Sequence, residues 1–450
     1  MSEAKNLARL VFIPLPAISH LKAAVKLAKL LADRDECLSI TVLIMRMPSE
    51  SNISSYIKNS SDSRVNFVEL PENESILTEL MKSPKNFLAR FVESQKDLVR
   101  DAVVEIIKSS SSSKISGFVI DMFCTSMIDV ANGLGIPTYV FVSSGAAALG
   151  LMLHLQSLRD DSNLDLTKYK NSDAEISVPT HCKPVPATVW PSSVFDKESD
   201  LLDFVKRYRE TAAIIVNSFL EFESHQIRSL SNNETIPPIY PFGPILEFGE
   251  DQTDAEKQNH RKIFEWLDRQ PRSSVVFLCF GSKGCFDEDQ VKEIAVALEN
   301  SRHRFLWSLR KPPSGEKNES PGEYENPEEV LPQGFLQRTV EIGKVIGWAP
   351  QIAVLSHPAV GGFVSHCGWN STLESVWCGV EIKMDYRKES GVIVGADTIE
   401  KAIKQLMDPE NEIRDKMRAL KEKSRMALME GGSSCNYLKC FVENVMKNIS

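Results

Sequence analysis

Short apolar runs alternate along this chain with longer stretches whose apolar positions recur every three or four residues, and that alternation predicts repeated strands and helices. Residues 10–13 (LVFI) read as a short buried strand ended by Pro14 and Pro16. After Ala17-Ile18-Ser19-His20 comes LKAAVKLAKLLADR, an amphipathic helix with lysines on its outer face. Residues 39–45, 117–121, 138–141 and 213–218 are further strands. A second series follows at 274–282, 304–308, 344–346 and 360–364. Between and after these lie helical patterns in RKIFEWLDRQ, DEDQVKEIAVALENS, 398–407, 411–429 and YLKCFVENVM. Strand–helix–strand repeats of this kind imply parallel, doubly wound α/β sheets, with ligands at the carboxyl ends of the strands.

Breaks in the pattern suggest the organisation. Residues 109–116 are Ser-rich and read as a loop. Residues 155–195 are polar and punctuated by proline, as in mobile walls over a cleft. Prolines at 237, 238 and 244 place an interdomain linker at 237–255, between a first domain at 1–236 and a second at 256–430. Residues 311–335, rich in Pro, Glu, Gly and Ser, read as an exposed loop.

Composition narrows the class without naming it. The 450 residues are 42% hydrophobic and 25% charged, as in soluble globular proteins, and allow two or three domains. A net charge of −9 argues against nucleic acid or an anionic membrane as a partner. The nine cysteines show no metal-ligand spacing, and an odd number without a secretory signal reads as reduced thiols in the cytosol. No apolar run reaches membrane-spanning length.

Candidate chemistry concentrates after the strand at 360–364. His366, Cys367 and Gly368 close that strand, and Asn370, Ser371 and Thr372 precede LESVWCG as helix-capping residues. Glu374 stands three residues after Ser371, as in a capping box. A strand running into a helix N-terminus offers free backbone N–H groups and a positive dipole end, which suit phosphate. Ser282, after Phe280-Gly281, ends another strand and fits the same task. Acid-x-acid pairs at 33–35 and 287–289 sit at helix ends, where capping accounts for them, and no metal is expected. No GxGxxG follows a strand, which disfavours a nicotinamide-dependent oxidoreductase.

The stretch from Trp348 to Gly379, WAPQIAVLSHPAVGGFVSHCGWNSTLESVWCG, closely resembles the donor-binding box of plant UDP-dependent glycosyltransferases of secondary metabolites, a GT-B family. The resemblance implies two Rossmann-like doubly wound domains facing across a cleft, with the last helix, about 430–450, crossing back onto the first. It implies inverting transfer of glucose from UDP-glucose to a hydroxyl of a small apolar acceptor, a flavonoid or other plant phenolic. UDP-glucose is then a co-substrate and no cofactor is required; the expected protein is a cytoplasmic monomer with no membrane partner.

Residue roles follow by the same resemblance. Trp348 stacks on uracil and Gln351 hydrogen-bonds the nucleoside, with Ala349 between them. His366, Asn370 and Ser371 hold the diphosphate beside Gly281, Ser282 and Gly368. Trp369 touches the sugar, and Glu374 grips the ribose hydroxyls. His20 takes the place of the catalytic base, apt because imidazole titrates near working pH. Asp121 fits as the carboxylate that orients it. The alternatives are a structural histidine and a helix-capping acid. Ser143 stands where the family often has Thr, with a hydroxyl directed at the donor sugar.

One departure from the family bears on activity. After its Cys-Gly-Val equivalent the family continues into an apolar strand, a Trp-Pro turn and an acidic-Gln pair that holds the glucose hydroxyls. Here Val380 passes straight to Glu381-Ile382-Lys383, and no Glu-Gln or Asp-Gln occurs from 381 to 420. About two dozen residues are missing, enough for a strand end, a helix and the next strand's start. The second hypothesis is therefore a truncated form that at most binds UDP.

Overall fold

A computed structural model describes residues 7–47, 53–59, 64–72, 74–82, 85–109, 113–246, 254–313, 321–375 and 393–448. The junction of Val380 with Glu381 lies outside the described residues. The chain divides into two compact units, Met1–Ile245 with Arg425–Ser450, and Leu246–Ser424.

The first unit is built on strands β1 (Leu7–Ile13), β2 (Leu38–Ile44), β3 (Val65–Glu69), β4 (Ser113–Asp121) and β5 (Thr138–Val142). A two-stranded pair, β6 (Glu175–Ile176) with β7 (Val185–Pro186), stands apart, and β8 (Ala213–Val216) and β9 (Ile239–Pro241) complete the main sheet. Among the described residues that sheet has seven parallel strands in the order β3-β2-β1-β4-β5-β8-β9. Burial on both faces explains the continuous apolar runs. On β1, Leu10 and Phe12 enter one core while Val11 and Ile13 enter the other. Each such buried side chain contributes about 1.5–3 kcal/mol.

The first core is closed by the final helix, Ser433–Lys447, which buries Leu438, Phe441, Val442 and Val445 against the β1 and β2 side chains. Phe441 meets the edge of Tyr139 at 4.9 Å between ring centroids. Gly117 makes room for that ring, since a Cβ there would lie 2.4 Å from it.

The second unit holds β10 (Val275–Leu278), β11 (Arg304–Ser308), β12 (Gly343–Ile346) and β13 (Val360–Val364). These are all parallel, in the order β12-β11-β10-β13 among the described residues. Helices Glu288–Ser301 and Ala396–Met407 cover one face through Val291, Ile294, Leu298, Ile399, Ile403 and Leu406.

Three expectations need correcting. The proposed linker begins instead with β9, which pairs with β8 at the sheet edge, and the chain leaves the first unit after Ile245. An edge strand tolerates the flanking prolines that made this segment look like a break. Residues 155–195 are not loose walls. Helix Ala146–Asp160 and short 3₁₀ turns pack a subsidiary core around Trp190, which is fully buried and stacks on Phe195 at 5.8 Å. The strand expected at 274–282 ends at Leu278, and Gly281 beyond it takes φ of +76°.

Candidate active site

In the first unit, β1 runs through Pro14 and Pro16 into helix Ile18–Ala32, so that His20 lies in its first turn. The neighbouring strand β4 ends at Asp121. His20 Nδ1 is 2.8 Å from Asp121 Oδ2. Side-chain exposure is 21% for His20 and 2% for Asp121, so the carboxylate is sealed in while the imidazole keeps one open edge. The other oxygen, Oδ1, accepts the Phe123 backbone N–H at 3.0 Å.

An ionised carboxylate only accepts, so Nδ1 carries the hydrogen and Nε2 is left with a lone pair. Burial pushes the His20 pKa down, while the Asp121 charge and hydrogen bond push it up. The net result lies above the ordinary value. Phe123 lies 5.7 Å from the imidazole ring, and burial holds the Cys124 thiol and Tyr208 phenol protonated, each further raised by the Asp121 charge. Ser143, just beyond β5, is half-buried and donates to Met122 Sδ at 3.9 Å.

In the second unit, β13 ends in the loop that carries His366. Its ring is held between two glycines. A Cβ on Gly281 would come within 2.6 Å of His366 Cε1, and one on Gly368 within 2.4 Å of Nε2. A side chain at either position would have to displace the ring, and Gly281 also takes a positive φ that favours glycine. The ring is open to solvent on one side, yet its partial burial lowers the pKa below the ordinary value. Burial therefore favours the neutral imidazole at His366.

The helix after this loop begins earlier than the sequence suggests. It spans Trp369–Ser375 within the described residues, so Asn370, Ser371 and Thr372 are its first turn rather than its caps. Ser371 and Glu374 are drawn together by another residue. Gln351 Nε2 donates to Ser371 Oγ at 3.0 Å and also to Glu374 Oε2. Ser371 is buried, Glu374 and Trp369 are half-buried, and Asn370 and Ser282 are exposed. Ala349 is buried in the core with Val354 and Phe363, whereas Trp348 is 38% exposed.

Two residues beside Trp348 escaped sequence reasoning. Its backbone N–H donates to Glu323 Oε1 at 2.8 Å, and the Arg310 guanidinium lies 5.1 Å from its ring centre. Arg310 stands just past the carboxyl end of β11, a position that the rule for parallel sheets could have flagged. Glu323 sits in the stretch read as an exposed loop.

Among the described residues no group of three or more His, Cys, Asp or Glu is placed to hold a metal ion. The two acid-x-acid pairs fall at the end of helix Ile18–Ala32 and the start of helix Glu288–Ser301. No helix of the described residues is long and apolar enough to cross a membrane.

The family model for UDP-glucoronosyl and UDP-glucosyl transferase matches residues 201–385. The chain is 50% identical to UDP-glucose flavonoid 3-O-glucosyltransferase 6 of Fragaria ananassa, with 98% of the chain and 99% of that protein covered. It is also 50% identical to UDP-glycosyltransferase 71E1 of Stevia rebaudiana, covering 97% and 98% respectively. Among solved structures, a transferase from Siraitia grosvenorii in complex with UDP is 43% identical with a TM-score of 0.87, over 98% of this chain and 100% of that one. UGT71G1 of Medicago truncatula, complexed with UDP-glucose, is 37% identical with a TM-score of 0.84, over 99% and 100%. Coverage this complete does not favour a truncated form. The Fragaria alignment nevertheless runs over 481 residues against the chain's 450, so at least 31 of its positions face gaps here.

Proposed function

The chain belongs to the UDP-glucoronosyl and UDP-glucosyl transferase family, with a GT-B fold of parallel α/β units, and from that premise we propose that it transfers glucose from UDP-glucose to a hydroxyl of a small phenolic acceptor. A flavonoid is the acceptor class that fits best, in keeping with the name of the Fragaria relative. The observation that carries the reading is the His20–Asp121 pair, because it leaves Nε2 as a base on the exposed edge of the ring.

In this reading Nε2 takes the proton from the acceptor hydroxyl as its oxygen attacks the anomeric carbon. The bond from that carbon to the phosphate oxygen breaks, UDP leaves with the electron pair, and the anomeric configuration inverts. Asp121 stabilises the imidazolium that forms and holds the ring in its working tautomer. Trp348, Ala349, Gln351 and Glu374 hold the nucleoside. His366, Ser282, Asn370, Ser371 and backbone N–H groups around Gly281 and Gly368 take the developing charge on the phosphate. Trp369 touches the sugar. No step requires a metal ion.

The test is incubation with UDP-glucose and a panel of flavonoids and simple phenols, with products read by mass and by the anomeric proton coupling in NMR. A β-glucoside is expected. An α-glucoside, or release of glucose with no acceptor product, would overturn the reading.

A further inference from the structure

Trp348 is presented by a clamp that holds both its backbone and its ring. Behind it, Arg310 Nε donates to the Gly322 carbonyl at 3.0 Å, and Nη2 donates to Pro321 O. Lys311 and Gly322 exchange backbone hydrogen bonds at 3.0 and 2.9 Å, so the chain leaving β11 is tied to the 321–323 turn. That turn delivers Glu323 to the Trp348 N–H. The Glu323 carboxyl also lies against Gly347, where a Cβ would come within 2.3 Å of it. The third guanidinium nitrogen, Nη1, is buried without a hydrogen-bond acceptor, and the guanidinium lies over the indole. A buried cationic donor without an oxygen partner is costly unless something else stabilises it, and an aromatic face does so.

We propose that Arg310, with the 321–323 turn it anchors, is a positioning residue for the nucleotide base. It fixes the Trp348 ring in the orientation that stacks on uracil and polarises that ring through a cation–π contact. The proposal rests on the reading that Trp348 carries the base. Arg310 touches no part of the donor in this account. Its influence passes through the indole, and that distinguishes it from an arginine acting as a charge on diphosphate.

The experiment is calorimetric binding of uridine, UMP and UDP to the whole chain and to Arg310→Met, Arg310→Lys, Trp348→Ala and the double variant. Arg310→Met is expected to weaken all three ligands by the same factor, about tenfold, because the ring is no longer held ready for the base. Arg310→Lys keeps the charge but loses the fork onto two carbonyls, and should fall between. On the Trp348→Ala background Arg310→Met should cost nothing further. A loss confined to UDP, or an equal loss with and without Trp348, overturns the proposal and identifies Arg310 as a charge on the phosphates or a general stabiliser. If Trp348→Ala itself leaves uridine binding unchanged, the donor-site reading fails instead, and it fails independently of Arg310. If Arg310→Met does not fold, Arg310→Lys, alone and combined with Trp348→Ala, decides on the same criteria.

Discussion

The 2.8 Å contact between His20 Nδ1 and Asp121 Oδ2 joins the first turn of a helix to the carboxyl end of a neighbouring strand, with the aspartate almost fully buried. Burial alone would push the imidazole pKa down. The carboxylate more than offsets it, so the protonated form is favoured above the ordinary histidine range.

The pH dependence follows with a definite sign. A general base works only when deprotonated, so kcat/KM should fall as pH drops through the raised His20 pKa. In Asp121→Asn the charge is gone and burial remains, so the acid limb should move to lower pH. The plateau should also drop, by about 10²-fold or more, because the tautomer and the imidazolium lose their support. An acid limb that stays in place would detach that limb from the pair.

The packing of His366 between glycines yields a second prediction. Gly368→Ala places a methyl group 2.4 Å from Nε2 and must displace the ring. UDP affinity should weaken about tenfold, roughly 1.4 kcal/mol, in a calorimetric titration. Gly281→Ala should cost more, since it adds about 1–2 kcal/mol of left-handed backbone strain to the same clash. Unchanged affinity in both would remove His366 from the donor site.

Much of this was legible in the sequence, for a physical reason. Buried parallel strands are continuous apolar runs, so β1, β2, β4, β5 and the strands of the second unit stood out. β3 is mostly exposed or half-buried, and β9 is a short strand flanked by prolines, so neither stood out. His20 and Asp121 were findable because each follows a strand at its carboxyl end, but their contact spans 101 residues and only the fold brings it about. The true start of the helix at Trp369 was hidden because Asn, Ser and Thr favour caps in general, while here Gln351 satisfies Ser371 from another element. The core around Trp190 was hidden by polar and proline residues that form its outer surface.

The departure from the family after Val380 can be tested for its effect on rate. If the acidic-Gln pair of the resembled family is what holds glucose, this chain, with no such pair from 381 to 420, forgoes charge-assisted hydrogen bonds of about 1.5–3 kcal/mol each. Inserting the family's segment after Val380 should raise transfer about 10²-fold through better positioning, with little change in UDP affinity. Rates within tenfold of each other would mean that the glucose is held elsewhere. UDP and UDP-glucose should bind the chain as it stands about equally.

The central claim is that this chain is a glucosyltransferase whose base is His20. The most direct measurement is single-turnover transfer from UDP-glucose to a reactive phenol by the chain and by His20→Ala, with UDP affinity measured on both. The account predicts product from the chain, at least about 10²-fold less from the variant, and the same UDP affinity. Near-equal transfer by the two proteins, or loss of UDP binding along with activity, would contradict it.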